Sequence, residues 1–359
     1  MIALVFCGDL KYCPYLTRYT KLLDENKSEY EVLFWNRGAY ELDLSENYAY
    51  YGSASDLSKG KIAKLFDFFG FRKWLKKRIK SKKYDKLIIL STLSGVLIWD
   101  VLKKYKDKYI FDVRDYSFEH ISLFAKAEKR IVENSVFTAI SSEGFKSFLP
   151  KSDKYVLAHN FNPEEAKRES HSFKKNETEP LNVVWNGAMR FFAHQKFIID
   201  ALKNDSRFQL VYHGAGPELE QYEKYAKDEG IKNITFTGVY DNKDKPSLLA
   251  NAHILNNSYG YGRPDVAEKE LENAVSNRFY DGLIYHIPQF TESVGHKKNL
   301  VEKSGVGTGL KTDENFADRL YEYYMSISKE DFDKACTEAL AKICDDDKCY
   351  TESIIDFIK

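Results

Sequence analysis

Short apolar runs alternate with segments of helical spacing along almost the whole chain. In the first half the runs Ile2–Cys7, Tyr30–Trp35, Leu87–Ser91, Tyr109–Val113, Val136–Ile140 and Tyr155–Leu157 have strand length. Between them, Tyr15–Asn26, Ile62–Lys80 and Phe118–Glu133 carry the spacing of helices. From His159 to Glu179 the chain turns polar and charged, with Pro163 and Pro180 near the ends of the stretch. That composition predicts a linker. Alternation restarts with candidate strands Leu181–Trp185, Phe208–His213, Ile234–Thr237, Ile254–Asn256 and Ile287–Phe290, and the tail from Glu314 onward reads as purely helical. Strand–helix alternation of this kind predicts doubly wound parallel sheets.

At 359 residues, 43% of them hydrophobic, the chain is long enough for two cores. Lysine plus arginine and aspartate plus glutamate both number 54, so the chain carries no net charge, which argues against a nucleic-acid-binding domain. The charge is unevenly placed: residues 59–86 hold twelve Lys/Arg and two acids. The five cysteines, Cys7, Cys13, Cys336, Cys344 and Cys349, lack metal-finger spacing and read as reduced thiols packed in a cytoplasmic protein. The opening Met-Ile-Ala-Leu-Val-Phe-Cys-Gly has no basic leader and reads as a first strand. No apolar stretch approaches the roughly 20 residues that span a bilayer, so the expectation is a soluble or peripheral protein.

The richest stretch runs from Leu181 to Phe290. A strand ends at Asn186-Gly187, with Arg190 and Lys196 just beyond. The next runs into Gly214-Ala215-Gly216-Pro217, and a third ends at Phe236-Thr237-Gly238, followed by Tyr240. The stretch closes with Asn277-Arg278-Phe279-Tyr280-Asp281-Gly282-Leu283 and Ile287-Pro288. Glycine turns, cations and one carboxylate thus fall at strand ends, where open parallel sheets bind nucleotides.

This stretch resembles the donor half of a GT-B glycosyltransferase near glycosyltransferase family 4, in its bacterial capsule and exopolysaccharide branch. The resemblance implies two Rossmann-like, doubly wound parallel-sheet domains facing a cleft: an acceptor domain over residues 1–158, a linker over 159–180, a nucleotide-sugar domain over 181–328, and C-terminal helices over 329–359 that return to the first domain. It also implies a nucleotide-sugar donor, most commonly UDP-linked, with no metal or other cofactor required. Asp281 stands seven residues before Pro288, where the family's acid hydrogen-bonds the ribose; a carboxylate can accept from two vicinal hydroxyls at once. Family members usually have glutamate there. Many retaining members also carry a glutamate eight residues earlier, where this chain has Asn273 beside Glu272. Arg190 and Lys196 correspond to the family's diphosphate cations, with a longer spacing from Gly187. Cations placed there stabilise the leaving group as its charge develops. Gly187, Gly214, Gly216 and Asn277 belong to the same donor site, and Tyr240 is placed to stack on the base. Backbone amides at glycines and helix starts favour anions.

In the first half the loop Phe111-Asp112-Val113-Arg114-Asp115-Tyr116-Ser117-Phe118-Glu119-His120 follows an apolar strand. An inverting transfer needs a base near the acceptor hydroxyl. Asp115, His120 and Glu119 are the candidates in that order, with Arg114 able to pair with either aspartate. Gly8 and Asp9, after the first strand, are candidate acceptor contacts. Lys59–Lys86 combines an apolar face with Arg72, Lys73, Trp74, Lys76, Lys77 and Arg78, the composition of a helix lying on an anionic membrane surface and equally of a crossover helix packed on a sheet. Asp345-Asp346-Asp347 reads as a solvated loop, and no histidine falls at metal-ligand spacing. The whole points to an enzyme that moves a sugar to a lipid-linked or oligosaccharide acceptor on the inner face of the membrane. A nucleotide-sugar epimerase of the same architecture and a catalytically silent partner of another transferase are the alternatives.

Overall fold

The computed structural model describes residues 1–38, 40, 45–52, 61–168, 171–259 and 272–359, with backbone alone at 61–65 and 167–168. The chain divides into two compact units, Met1–His159 with Asp346–Lys359, and Asn160–Asp345.

The first unit holds β1 (Ile2–Phe6), β2 (Tyr30–Asn36), β3 (Tyr48–Gly52), β4 (Lys86–Leu90), β5 (Tyr109–Val113), β6 (Phe137–Ile140) and β7 (Tyr155–Leu157). They form one sheet in the order β3-β2-β1-β4-β5-β6-β7, parallel throughout. The second unit holds β8 (Leu181–Asn186), β9 (Phe208–His213), β10 (Ile234–Gly238), β11 (Ile254–Asn256), β12 (Gln289–Glu292) and β13 (Gly307–Leu310). Their order is β10-β9-β8-β11-β12-β13, again parallel. In each sheet the winding reverses beside the first strand, between β1 and β4 and between β8 and β11. Ligands of open α/β sheets bind at the carboxyl ends of strands at such a reversal.

Two strands escaped the hydrophobic pattern. β3 (Tyr-Ala-Tyr-Tyr-Gly) is an edge strand with every residue at least partly exposed, so it lacks a continuous apolar run. β13 is Gly-Thr-Gly-Leu because a Cβ at Gly307 would come within 2.5 Å of the Gln289 carbonyl oxygen on β12. The run Ile287–Phe290 is displaced by two residues: Ile287 N–H donates to Gly282 O at 2.9 Å, closing the preceding helix, and pairing with β13 begins at Gln289.

Leu16, Tyr19, Leu22 and Leu23 of helix Leu16–Glu25 seal one face of the first sheet. Burying each such side chain contributes about 1.5–3 kcal/mol. The last helix, Lys329–Ile358, gives Phe332, Cys336 and Ile343 to the second core, and Tyr350, Ile354, Phe357 and Ile358 to the first. Asp345-Asp346-Asp347 is a turn of this helix and not a solvated loop. Asp346 meets His159 at 3.0 Å, and buried Asp347 meets Arg18 at 2.8 Å.

Candidate functional site

In the second unit the turns after β8, β9 and β10 interlock. Gly187 N–H donates to His213 O at 2.9 Å, Met189 N–H to Ala215 O at 3.1 Å, and Gly214 N–H to Gly238 O at 2.8 Å. Gly214 has φ +129°, and a Cβ there would sit 2.0 Å from Gly187 O; one at Gly216 would sit 2.6 Å from Met189 N. Both glycines therefore let neighbouring turns touch, a packing role that sets the shape of the strand-end rim.

Helix Asn277–Ile284 enters this rim between β11 and β12. Arg278 and Asp281 are three apart and share one face. Asp281 is only 2% exposed. Its Oδ2 accepts from Asn186 Nδ2 at 2.7 Å and its Oδ1 from Lys245 Nζ at 3.0 Å. Lys245 also lies 3.8 Å from Glu165. Burial acts to lower the Lys245 pKa, but the Asp281 charge outweighs it and the net direction is upward. Half-buried Tyr240 has its phenol pushed up by burial and by the Asp281 charge. A carboxylate offers about four lone-pair sites, so Asp281 keeps acceptor capacity beyond these two bonds.

A second polar layer continues along β11 and β12. Asn257 Nδ2 donates to Gln289 Oε1 at 2.7 Å, and Ser276 Oγ donates to Asn257 Oδ1. Lys297 is buried, 3.0 Å from Glu292, with its ammonium 4.0 Å from the Tyr259 ring centre; burial pushes its pKa down. Arg278 lies 3.6 Å over the Trp185 ring and donates from Nη1 to the Asn186 carbonyl at 3.0 Å. Sequence reading did not single out Lys245, Arg278, Glu292 or Lys297. Arg278 was legible in principle, three residues before Asp281 on a helix. Lys245, 36 residues from its partner, gave no local signal.

The other expected donor residues disperse. Arg190 is exposed, and its carbonyl accepts from Tyr222 Oη. Lys196 is held by Asp200 at 2.6 Å and lies 4.7 Å over the Tyr225 ring. Its neighbour Gln195 is the one that faces the strand ends, donating to Ser258 O at 2.7 Å and accepting from Asn256 Nδ2 at 2.7 Å. Asn277 is exposed, with its side-chain oxygen bonded to Asn160 at 2.6 Å.

In the first unit Arg114 pairs with buried Asp112, Nε to Oδ1 at 2.5 Å, and Tyr19 Oη donates to the same carboxylate at 2.7 Å. That leaves Asp115 exposed, with no side-chain hydrogen bond or ion pair among the described residues. Desolvation by the surrounding chain pushes its carboxyl up, against the lowering effect of Arg114. His120 is exposed as well, stacked 6.3 Å from Tyr116. Glu119 instead turns inward: its Oε2 accepts from Ser117 N–H at 2.6 Å, it is buried, and desolvation raises its carboxyl. Buried Glu128, on helix Ser122–Asn134, is pushed up to about 8 by burial and by the Glu119 charge. Phe118, Ile121 and Leu123 are exposed beside this loop. Gly8 is buried at the end of β1, and Asp9 Oδ1 accepts from Arg37 N–H at 2.7 Å and Gly38 N–H at 3.1 Å, tying the β1 and β2 turns together.

The basic segment is helix Lys61–Lys82; Lys59 lies outside the described residues. Phe71, Leu75 and Ile79 face the core, where Phe71 stacks on Trp35 at 5.6 Å. Trp74 is half-buried against Phe71 and Tyr51. Arg72 and Lys76 bind Asp100 at 3.0 and 2.6 Å, and Arg78 binds Glu31. The outward stripe is Phe66, Phe69, Lys73, Lys77 and Lys80, with Phe66 69% and Phe69 56% exposed. Among the described residues no helix is long and apolar enough to cross a membrane.

No protein-family model and no curated protein matches the chain. Solved structures do match. Anabaena HepE in complex with UDP aligns with a TM-score of 0.69 at 12% identity, covering 98% of this chain and 99% of that one. A sucrose-phosphate synthase from Thermosynechococcus elongatus aligns at 0.68 and 12%, covering 95% and 94%. The lipopolysaccharide outer core galactosyltransferase WaaB aligns at 0.63 and 14%, covering 96% and 98%. These likenesses over nearly the full length establish the fold: it is GT-B, with two Rossmann-like parallel-sheet units.

Proposed function

We propose that the chain is a nucleotide-sugar glycosyltransferase whose second unit binds the donor, with UDP as the nucleotide. The observation that carries this reading is Asp281. It is a buried carboxylate at the strand-order reversal of the second sheet, among Asn186, Lys245, Tyr240 and Arg278, on a fold shared with solved structures that hold UDP or UDP-glucose. In the reaction the bond between the anomeric carbon and the diphosphate oxygen breaks, and its electron pair stays with that oxygen. The acceptor hydroxyl oxygen bonds to the carbon, and its proton passes to a base. Asp115, exposed and not ion-paired to Arg114, which is bonded to Asp112, is the first choice for that base in an inverting transfer. No metal or other cofactor is assigned to this chemistry.

The acceptor in this reading is a lipid-linked or oligosaccharide intermediate of bacterial surface polysaccharide. Exposed Phe118, Ile121 and Leu123 beside Asp115 suit an acceptor with an apolar part. Lys73, Lys77 and Lys80 beside Phe66 and Phe69 suit peripheral docking on an anionic membrane from the cytoplasmic side. Calorimetry on the full chain with UDP, ADP, GDP and CDP tests the donor assignment. Saturable binding of UDP, weakened in Asp281→Ala, is expected; preference for another of the four overturns the choice of UDP, and binding of none overturns the donor reading.

A further inference from the structure

Of the two buried cations that line the donor rim among the described residues, one is neutralised and one is not. Lys297 has Glu292 at 3.0 Å. Arg278, 4% exposed, has no carboxylate partner among the described residues, since Asp281 is bonded to Lys245 and Asn186. Its Nη1 is fixed by the Asn186 carbonyl at 3.0 Å and its plane lies on Trp185, while Nε and Nη2 are buried with no hydrogen-bond partner. Burying a guanidinium without a counter-charge is costly. Leaving two of its donors unbonded adds to that cost.

The two unbonded donors are not arbitrary. Nε–H and the outer N–H of Nη2 point the same way along one edge of the guanidinium, the edge that binds two oxygens of a phosphate or carboxylate side by side. Stacking on Trp185 and the Asn186 bond hold that edge in one orientation. Arg278 also stands in the first turn of helix Asn277–Ile284, whose amino end attracts anions. By contrast Lys196 is neutralised by Asp200 on the flank of its own helix.

We propose that Arg278 is the diphosphate-binding cation of this chain, taking over the task that the family resemblance gave to Arg190 and Lys196. The assignment rests on the donor reading above and adds to it a residue and a geometry. As the anomeric bond breaks, the departing diphosphate gains one negative charge, and a guanidinium edge already oriented toward it lowers the barrier without reorganising.

The test is calorimetry on the full chain with UDP, UMP and uridine, for the wild type, Arg278→Gln and Arg278→Lys, with a melting curve for each. Arg278→Gln is expected to weaken UDP about 10–100-fold, UMP less, and uridine not at all. Arg278→Lys keeps the charge and loses the two-donor edge, so it falls between the two; should the glutamine variant fail to fold, the lysine variant carries the test. Equal weakening of all three ligands, together with a lower melting temperature, would show that Arg278 only packs the rim and overturn the proposal. Unchanged UDP affinity in a folded variant overturns it while leaving the donor reading intact. A wild type that binds none of UDP, ADP, GDP or CDP overturns both.

Discussion

Replacing Asp281 by alanine removes the group that ties β8, helix Lys245–Leu249 and helix Asn277–Ile284 into one site. Asn186 Nδ2 loses an acceptor at 2.7 Å and Lys245 loses its nearer counter-charge at 3.0 Å, in a place 2% exposed. Breaking a buried pair from one side costs about 3–5 kcal/mol. Glu165, 3.8 Å from Lys245, remains as a second acid and brings the expectation to the low end, about 3 kcal/mol. For a unit of this size that lowers the melting temperature by roughly 6–12 °C. The variant also loses hydrogen bonds from ribose hydroxyls to a charged group, about 1.5–3 kcal/mol, which is about 10–150-fold in nucleotide affinity. Asp281→Asn separates the two effects. It keeps an acceptor for Asn186 and the same shape, so it should melt closer to the wild type and still bind nucleotide poorly. Scanning fluorimetry and calorimetry on both variants read the two quantities. A folded Asp281→Ala protein with wild-type affinity would refute the ribose role, and one with wild-type melting would refute the buried network itself.

Three further expectations follow from the first unit. Asp115→Asn should lower turnover about 10²–10⁴-fold with donor affinity unchanged by calorimetry; near-normal turnover would move the base to His120 or support a retaining path. Reversing the outward Lys73, Lys77 and Lys80 to glutamate should abolish cosedimentation with anionic vesicles, while Arg72, Lys76 and Arg78 are left alone because their ion pairs with Asp100 and Glu31 hold the helix down; each lysine near an anionic surface contributes about 1 kcal/mol, and retained pelleting would remove the membrane reading. Glu128, pushed up to about 8 in the folded chain against an ordinary 4.5, holds its proton longer folded than unfolded. Stability therefore falls as pH rises from about 4.5 through 8 and stays low above. Glu128→Gln should flatten the melting temperature over pH 5–8, and an unchanged slope in that variant would assign it to other groups.

The strands were the easiest part of this chain to read. Of the thirteen strands among the described residues, eleven announced themselves as apolar runs, because a parallel sheet covered on both faces needs side chains that tolerate burial on either side. The two that did not were β3, a half-exposed edge, and β13, where backbone crowding against β12 demands glycine. The site was half legible. Asp281, marked by its spacing to Pro288, does face the strand ends, whereas Lys196, expected there too, does not, because a difference of one residue on a helix turns a side chain by about 100°. That rotation puts Gln195 against the strand ends and Lys196 on Asp200. Arg278 carried no signal of its own in the sequence, and only three-dimensional packing shows it stacked on Trp185. In the basic helix, composition alone could not separate the inward Phe71, Leu75 and Ile79 from the outward Phe66 and Phe69.

The most direct test of the central claim is turnover. The full-length protein is incubated with a panel of UDP-, ADP-, GDP- and CDP-sugars, with and without a membrane lipid extract, and release of the nucleoside diphosphate is measured beside Asp281→Ala. The account predicts release from a UDP-sugar, raised by the lipid extract and lost in the variant. Release from none of them under either condition, by a protein that also binds none of the four nucleotides, would contradict it.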